Sequence, residues 1–98
     1  MFRLTILPEA EEDTRRSVLW YKMHSAMAGA NFVKALEAGY ALIQAAPRSY
    51  PVVRGRTRSV RLEKFPFRVY YEMVADEILV LRVFHLKRDD RVRSKKRR

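Results

Sequence analysis

The hairpin that decides the fold reads FPFRVYYEMVADEILVLRVFHL and occupies residues 65–86. β-Branched and aromatic residues dominate its two runs, residues 67–74 and 78–86, and this composition is typical of strands. Ala75-Asp76-Glu77 lies between the runs and supplies the turn. The stretch therefore predicts two long antiparallel strands near the C-terminal end of the sequence.

Two more strands are predicted outside this hairpin. One covers about residues 58–65, and Pro66 then forces a tight corner before the next strand begins. At the start of the chain, Phe2, Leu4 and Ile6 alternate with polar residues, which is the period of a half-buried strand. The sequence thus predicts one strand at its beginning and three at its end.

Two helices are predicted between these strands. Pro8 suits the first turn of a helix, and the acidic residues after it stabilise the positive end of the helix dipole over residues 8–24. Residues 25–29 are predicted to be a break, residues 30–46 a second helix with an apolar face, and residues 47–57 an ordered loop. The order β-α-α-β-β-β predicts an α+β domain, with two N-terminal helices packed on one face of a largely antiparallel sheet.

Strand alternation predicts which side chains share each face of the sheet. The face beneath the helices has Arg82 as its charged exception and otherwise collects Val60, Leu62, Phe67, Val69, Tyr71, Met73, Ile78, Val80 and Phe84. If the hairpin loop has an even number of residues, the other face collects Arg61, Glu63, Arg68, Tyr70, Glu72, Leu79, Leu81, Val83 and His85. Leu79, Leu81 and Val83 would then form an apolar strip that needs a partner to cover it.

Length and charge limit the possible classes of protein. A chain of 98 residues makes one domain, predicted over residues 1–88 with a basic tail over residues 89–98. Residues 1–49 hold six Lys/Arg and five Asp/Glu, a net charge of +1, whereas residues 50–98 hold fifteen and six, a net charge of +9. This concentration of positive charge favours an acidic protein or a nucleic acid as partner. Part of the charge lies in the tail, where it is also explained by a solubilising role.

Several classes of site are not expected. The chain has no cysteine, which excludes a disulfide scaffold, a thiol nucleophile and a cysteine-based zinc site. His24 and His85 are far apart in the sequence, with no close carboxylate, so neither a metal site nor a cofactor is expected. There is no secretory signal, and no apolar run approaches the roughly 18 residues of a membrane span. We therefore expect a cytoplasmic protein that does not bind membranes.

A set of segments occurs in a familiar order: LPEAEED at residues 7–13, Trp20-Tyr21, the run from Phe32 to Ala38, PRSYP at residues 47–51, FPFRVYY at residues 65–71 and VLRVFH at residues 80–85. Together these segments resemble the RelE/ParE toxin superfamily, and they look closest to its ParE-like, plasmid-stabilisation branch. The resemblance covers about residues 2–90. It implies the toxin of a type II toxin–antitoxin system, which inhibits growth. The resemblance also implies a cognate antitoxin that wraps around the helices and sheet and neutralises the toxin in a hetero-oligomer.

The resemblance leaves the cellular target open, because ParE members poison DNA gyrase whereas ribosome-dependent members cleave mRNA in the ribosomal A site. We favour gyrase poisoning, with a metal-independent mRNA endoribonuclease as the alternative. Cleavage needs a base, an acid and cations around one phosphate. Glu63, His85 and Arg68, with Arg61, are the catalytic candidates on one predicted face.

Each catalytic candidate also has a structural explanation. In this explanation Glu63 forms a surface ion pair. Arg68 anchors the antitoxin or pairs with Glu72, and His85 has a structural role. Arg68 and His85 match the arginine and late histidine of the family's nucleases. Leu86, however, stands near where some of those nucleases carry an aromatic residue, and this departure favours the gyrase hypothesis.

The remaining predicted contacts fall into two sets. Residues predicted to bind phosphate or the target are basic and have few carboxylates among them: Arg54, Arg56, Arg58, Arg61, Lys87 and Arg88. Residues predicted to bind the antitoxin are Trp20, Tyr21, Leu79, Leu81 and Val83. Core packing is the alternative for the aromatic pair Trp20-Tyr21.

Overall fold

The computed structural model describes residues 2–87. Its elements are β1 (Arg3–Ile6), α1 (Pro8–Lys22), α2 (Ala26–Ala45), β2 (Val52–Arg54), β3 (Thr57–Arg61), β4 (Phe67–Val74) and β5 (Glu77–His85). The strands form one sheet in the order β1-β5-β4-β3-β2, in which β1 runs parallel to β5 and the other neighbours are antiparallel. The α+β class, with both helices on one face of a largely antiparallel sheet, is confirmed.

The predicted boundary between the helices is wrong by four residues. α2 begins at Ala26 rather than at residue 30, because Ser25 caps it by accepting a 2.9 Å hydrogen bond from the Ala28 N–H. Gly29 therefore lies inside the helix, where an added Cβ would stand 2.5 Å from Cγ of Lys22. A glycine at this position lets the end of α1 pass close to the start of α2. Among the described residues, no helix has the length and apolarity needed to cross a membrane.

A short strand was missed in the segment predicted to be a loop. β2 has three exposed residues and pairs only with β3, so it carries no alternation of buried and exposed positions that a sequence pattern would reveal. Gly55, with a φ of 54°, makes the turn into β3. β3 ends at Arg61 rather than at residue 65, because the chain turns through Lys64, whose φ is 70°.

The core lies between the helices and the covered face of the sheet. Phe32, Leu36 and Ile43 of α2 are at most 4% exposed and belong to one buried cluster with the central strands. Burying each such side chain contributes about 1.5–3 kcal/mol. An added Cβ at Gly39 would stand 2.8 Å from Cδ2 of Leu62. A side chain at residue 39 would force the Leu62 side chain to shift, so glycine allows the helix to lie this close to the segment that follows β3.

A β-bulge in β5 changes the predicted faces of the sheet. Tyr70 pairs with Arg82 and Tyr71 with Val80, which leaves Leu81 without an opposite residue. The hairpin loop has two residues, since Val74 pairs with Glu77, so the even loop that the prediction required is present. One extra residue nevertheless moves every later side chain to the other face, since the period of a strand is two.

The residues that follow the bulge were consequently assigned to the wrong faces. Val83, predicted on an exposed strip, is 2% exposed and belongs to the core. His85 pairs with Phe67 on the face beneath the helices, whereas Phe84 pairs with Arg68 on the opposite face. The apolar strip therefore comprises Leu79 and Leu81 without Val83.

The loop between α2 and β2 is fixed to the sheet by two side chains. The hydroxyl of Tyr71 donates a 2.6 Å hydrogen bond to the Pro47 carbonyl, and the Arg58 guanidinium donates to the carbonyls of Arg48 and Tyr50. Burial raises the pKa of Tyr71 to about 12. Arg58, predicted to bind phosphate or the target, is thus committed to the chain's own backbone.

Tyr71→Phe should lower the free energy of unfolding at pH 7 by about 1–2 kcal/mol, because it leaves the buried Pro47 carbonyl without this donor. The folded pKa lies above the unfolded value of about 10, so the protonated phenol stabilises the fold below pH 10. This stabilisation is lost as the pH rises towards 12. Urea titrations at pH 7 to 12 should therefore show a shallower alkaline decline for the variant.

Tyr40→Phe is the matched control. Burial raises the pKa of Tyr40 to about 12 as well, but its buried hydroxyl has no hydrogen-bond partner among the described residues. The control should therefore keep its stability at pH 7 while its alkaline decline also becomes shallower. Equal losses at pH 7 in both variants would contradict the role given to the Pro47 contact.

Candidate functional site

The sheet face turned away from the helices carries polar and aromatic side chains. We call it the open face, and the register places on it Ser59, Arg68, Tyr70, Glu72, Leu79, Arg82 and Phe84, with the bulge residue Leu81 beside them. Leu79 and Leu81 are half-buried. The open face therefore combines cations, aromatic rings and a small apolar strip.

Two arginines and two aromatic rings form the centre of the open face. The rings of Tyr70 and Phe84 are 5.7 Å apart at 61°, and the guanidinium of Arg82 lies 4.4 Å from the centre of the Phe84 ring. Arg68 donates a 3.0 Å hydrogen bond to Oγ of Ser59, which is 1% exposed. Chemically, this arrangement suits contacts with an anion or with a planar ring.

Asp13 of α1 joins the first helix to the last strand. Its carboxylate accepts hydrogen bonds from Nε and Nη2 of Arg82 at 2.8 and 2.9 Å, and from the Val83 N–H at 3.0 Å. The neighbouring strand β1 ends at Ile6, so Asp13 supplies the acceptor that this part of the β5 edge would otherwise lack. Burial alone would raise the pKa of Asp13, but the hydrogen bonds from Arg82 and Val83 outweigh it and lower that pKa below 3.8.

This role of Asp13 was not predicted from the sequence. The residue was interpreted only as one of the acids that stabilise the start of a helix. Ala10, Asp13 and Ser17 are the buried residues of α1, so they define its inner face at a helical spacing. An acidic residue between two small residues on that face is the signal that would have identified it.

The four nuclease candidates do not converge. Arg68 lies on the open face and pairs with Arg61, whereas His85 lies on the face beneath the helices with its ring 5.1 Å from that of Phe67. Glu63 is exposed in the corner between β3 and β4. The prediction that all four share one face is wrong, because the bulge at Leu81 moves the His85 side chain to the opposite face. Within residues 2–87, no three His, Cys, Asp or Glu side chains gather as metal ligands would.

The basic residues predicted to bind phosphate or the target are also dispersed. Arg54 and Arg56 are exposed around the β2–β3 turn, Arg61 is exposed at the end of β3, and Lys87 is exposed after β5. Arg88 and the predicted tail lie outside the described residues. Apart from Arg58, the described members of this set remain accessible to a partner.

The predicted antitoxin contacts divide between surface and core. Trp20 is 43% exposed, whereas Tyr21 stacks on Phe32 with ring centres 5.3 Å apart and packs against the core. Two further residues at the tip of the helical hairpin were not predicted, Met23 and Met27, which are 84% and 72% exposed. Exposed methionines are typical of a protein-binding surface.

Comparison with known proteins gives a family and a fold. Residues 4–90 match the family model described as the ParE toxin of the type II toxin–antitoxin system parDE. A chain of the chromosomal ParDE system from P. aeruginosa aligns with a TM-score of 0.78 at 19% identity, covering 89% of this chain and 98% of that one. The isolated E. coli RelE toxin aligns with a TM-score of 0.67 at 16% identity, covering 99% and 98%. No curated protein sequence matches.

Asp13→Asn should lower the free energy of unfolding at pH 7 by about 2 kcal/mol, because it leaves Arg82 without its charged partner. The folded pKa of Asp13 lies below its unfolded value. The stabilisation is therefore present above about pH 4 and is lost as the pH falls through the lowered folded pKa. Denaturant titrations between pH 2 and 7 should show the parent and the variant converging at low pH.

Glu12→Gln is the control for this measurement. Glu12 forms its ion pair with Arg15 on the exposed side of the same helix, so its loss should leave the unfolding midpoint almost unchanged. A difference between Asp13→Asn and the parent that persists at pH 2 would contradict a role that depends on the carboxylate charge.

Proposed function

The chain belongs to the ParE toxin family of type II toxin–antitoxin systems, and from that premise we propose that it arrests growth by binding and poisoning DNA gyrase. In this proposal the chain has no catalytic step of its own and acts in the cytoplasm until a cognate antitoxin covers it. Membership of the family implies such an antitoxin. The choice of gyrase over the ribosome is our inference.

The separation of the nuclease candidates supports this proposal most strongly. A general base and a general acid must both come within hydrogen-bond reach, about 2.6–3.2 Å, of their protons on one substrate. Arg68 and His85 leave the sheet on opposite faces, and Glu63 lies in a corner outside the strands. A single RNA phosphate would not be surrounded by these three side chains in this arrangement.

The acidic residues of the open face support the same conclusion. Glu72 accepts a hydrogen bond from the hydroxyl of Thr57, and Glu77, at the end of that face, accepts one from the hydroxyl of Thr5. Both carboxylates therefore have structural partners within the sheet. Surface binding without proton transfer is the activity that these observations favour.

The antitoxin is proposed to cover two groups of apolar residues. At the tip of the helical hairpin these are the exposed Trp20, Met23 and Met27, and on the open face they are the half-buried Leu79 and Leu81. Exposed apolar groups on a small, highly charged domain are typical of a protein-binding surface. A hetero-oligomer would bury both groups.

RNA cleavage on the ribosome is the second candidate function, and one feature favours it. Arg68 stands beside Phe84 and Tyr70 on the open face, whereas the charge of Arg82 is paired with Asp13. A cation beside aromatic rings suits the phosphate and bases of a single strand. In this alternative the acid and the base would have to be other groups than His85 and Glu63.

We expect Glu63→Gln and His85→Gln to arrest growth at least as strongly as the parent chain when each is induced in a bacterial host. Neither side chain takes part in chemistry if the toxin acts by binding gyrase. Mapping of mRNA 5′ ends and plasmid topology in the same cells should show intact messages together with gyrase-linked DNA breaks. Circular dichroism of each purified variant checks that its fold is retained.

The opposite pattern would overturn the proposal. New cleavage sites in translated messages with normal supercoiling, lost in either variant, would identify a ribosome-dependent nuclease. Such a result would return Glu63 and His85 to catalytic roles.

A further inference from the structure

A groove of about 460 Å³ runs between α2 and the corner that follows β3. α2 packs one stripe, which includes Phe32, Leu36 and Ile43, against the core. A second stripe, Ala35, Ala38 and Leu42, lines the groove at the i, i+3, i+7 spacing of a helix face. α2 therefore has two faces with different partners, and only the first is covered within the described chain.

The floor of the groove is apolar, and most of its side chains are short. Ala35, Ala38 and Gly39 present little or no side chain, Leu42 is 51% exposed, and Leu62 closes the base beneath Gly39. Small residues allow two helices to approach closely, since packed helix axes lie about 8–10 Å apart, depending on the side chains between them. The apolar stripe spans residues 35–42, or about 10 Å of helix. This length matches about two turns of a partner helix.

The rim of the groove is positively charged. Lys34 stands on the α2 side and Lys64 on the opposite side, while Glu63 is the one acidic residue of the lining. Arg61 also lines the groove, but its pairing with Arg68 places its side chain on the open face. Lys34, Glu63 and Lys64 form no ion pair within residues 2–87. The rim therefore presents a net charge of +1, from two cations and one carboxylate, to whatever enters the groove.

We propose that this groove binds an acidic amphipathic helix of the toxin's target protein. The helix would lay an apolar stripe along Ala35, Ala38 and Leu42 and place carboxylates opposite Lys34 and Lys64. This mode, an amphipathic helix in an apolar groove, is a recurrent form of peptide recognition. The inference rests on the proposed function, in which the toxin acts by binding a protein.

Other occupants fit the groove less well. A second copy of the chain carries a net charge of +10, so the cationic rim would repel it. The basic segment after residue 87 would be repelled for the same reason. A nucleic acid would satisfy Lys34 and Lys64 but would gain little from a floor of alanine and leucine. The hairpin tip and the open face are the surfaces proposed to bind the antitoxin, so the groove is the surface proposed to bind the target.

The test uses two kinds of substitution in the full chain. Lys34→Glu combined with Lys64→Glu reverses the rim charge, and both side chains are exposed. Ala38→Trp fills the floor without changing the charge. Each is compared with the parent chain in binding to purified DNA gyrase, in growth arrest on induction, and in neutralisation by the co-expressed cognate antitoxin.

We expect each groove variant to bind gyrase at least about tenfold more weakly, as loss of well-placed charges or of shape complementarity does at protein interfaces. Growth arrest should weaken in parallel. Capture by the antitoxin should be unchanged. The combination Lys22→Glu and Arg48→Glu makes the same charge change at two exposed residues outside the groove, and it should arrest growth like the parent chain.

Three outcomes would overturn the inference. Full toxicity of both groove variants would show that the target binds elsewhere. Loss of antitoxin capture with gyrase binding retained would assign the groove to the antitoxin. Loss of binding to single-stranded RNA or DNA in the charge-reversal variant, with Ala38→Trp unaffected, would assign it to a nucleic acid.

The same experiment separates this inference from the proposed function. If the parent chain arrests growth without binding gyrase, the proposed function fails. Growth arrest by the groove variants still tests the groove in that case. Thermal unfolding of every variant confirms that a lost activity is not a lost fold.

Discussion

The carboxylate of Asp13 fixes the position of the first helix on the last strand, and much of the molecule depends on that contact. β1 reaches only as far as Ile6, opposite Val80, so within residues 2–87 the side of β5 that faces β1 has no neighbouring strand beyond Val80. Asp13 fills this gap by accepting from Arg82 and from the Val83 N–H. A carboxylate that is 4% exposed in its side chain is stable there only because these donors replace the water it has lost.

The bulge at Leu81 lies next to this contact and determines the chemistry of both sheet faces. Without it, Val83 and His85 would join Arg68 on the open face, and Phe84 would join the core. With it, the core gains Val83, and the open face gains an aromatic ring that Arg82 covers. One residue therefore decides whether the late histidine shares a surface with the arginine of the preceding strand.

These features favour a protein that acts by binding. The described surface offers several distinct chemistries: an apolar hairpin tip, an open face with cations and rings, and a groove with an apolar floor and a basic rim. A domain of this size that must be recognised by an antitoxin and also engage a target benefits from separate surfaces for the two. α2 helps to provide these separate surfaces, because one stripe of the helix packs in the core while the next lines the groove.

The sequence alone determined the fold class, the two helices, four of the five strands and the family. These features depend on local periodicity, on proline and glycine positions, and on the order of the segments, all of which the chain carries in its residues. It could not reveal β2, which is too short and exposed to leave a pattern. The spacing of Ala10, Asp13 and Ser17 indicates an inner face of α1, but only the fold shows which donors Asp13 meets there.

The tertiary structure alone decided the candidate site. Whether Arg68 and His85 meet depends on the register of β5 against β4, and that register contains an extra residue that alternation cannot detect. The groove likewise depends on how closely α2 packs against Leu62 at Gly39. Local sequence preferences specify the elements, but faces and grooves arise from how distant elements pack, and so only the folded chain defines them.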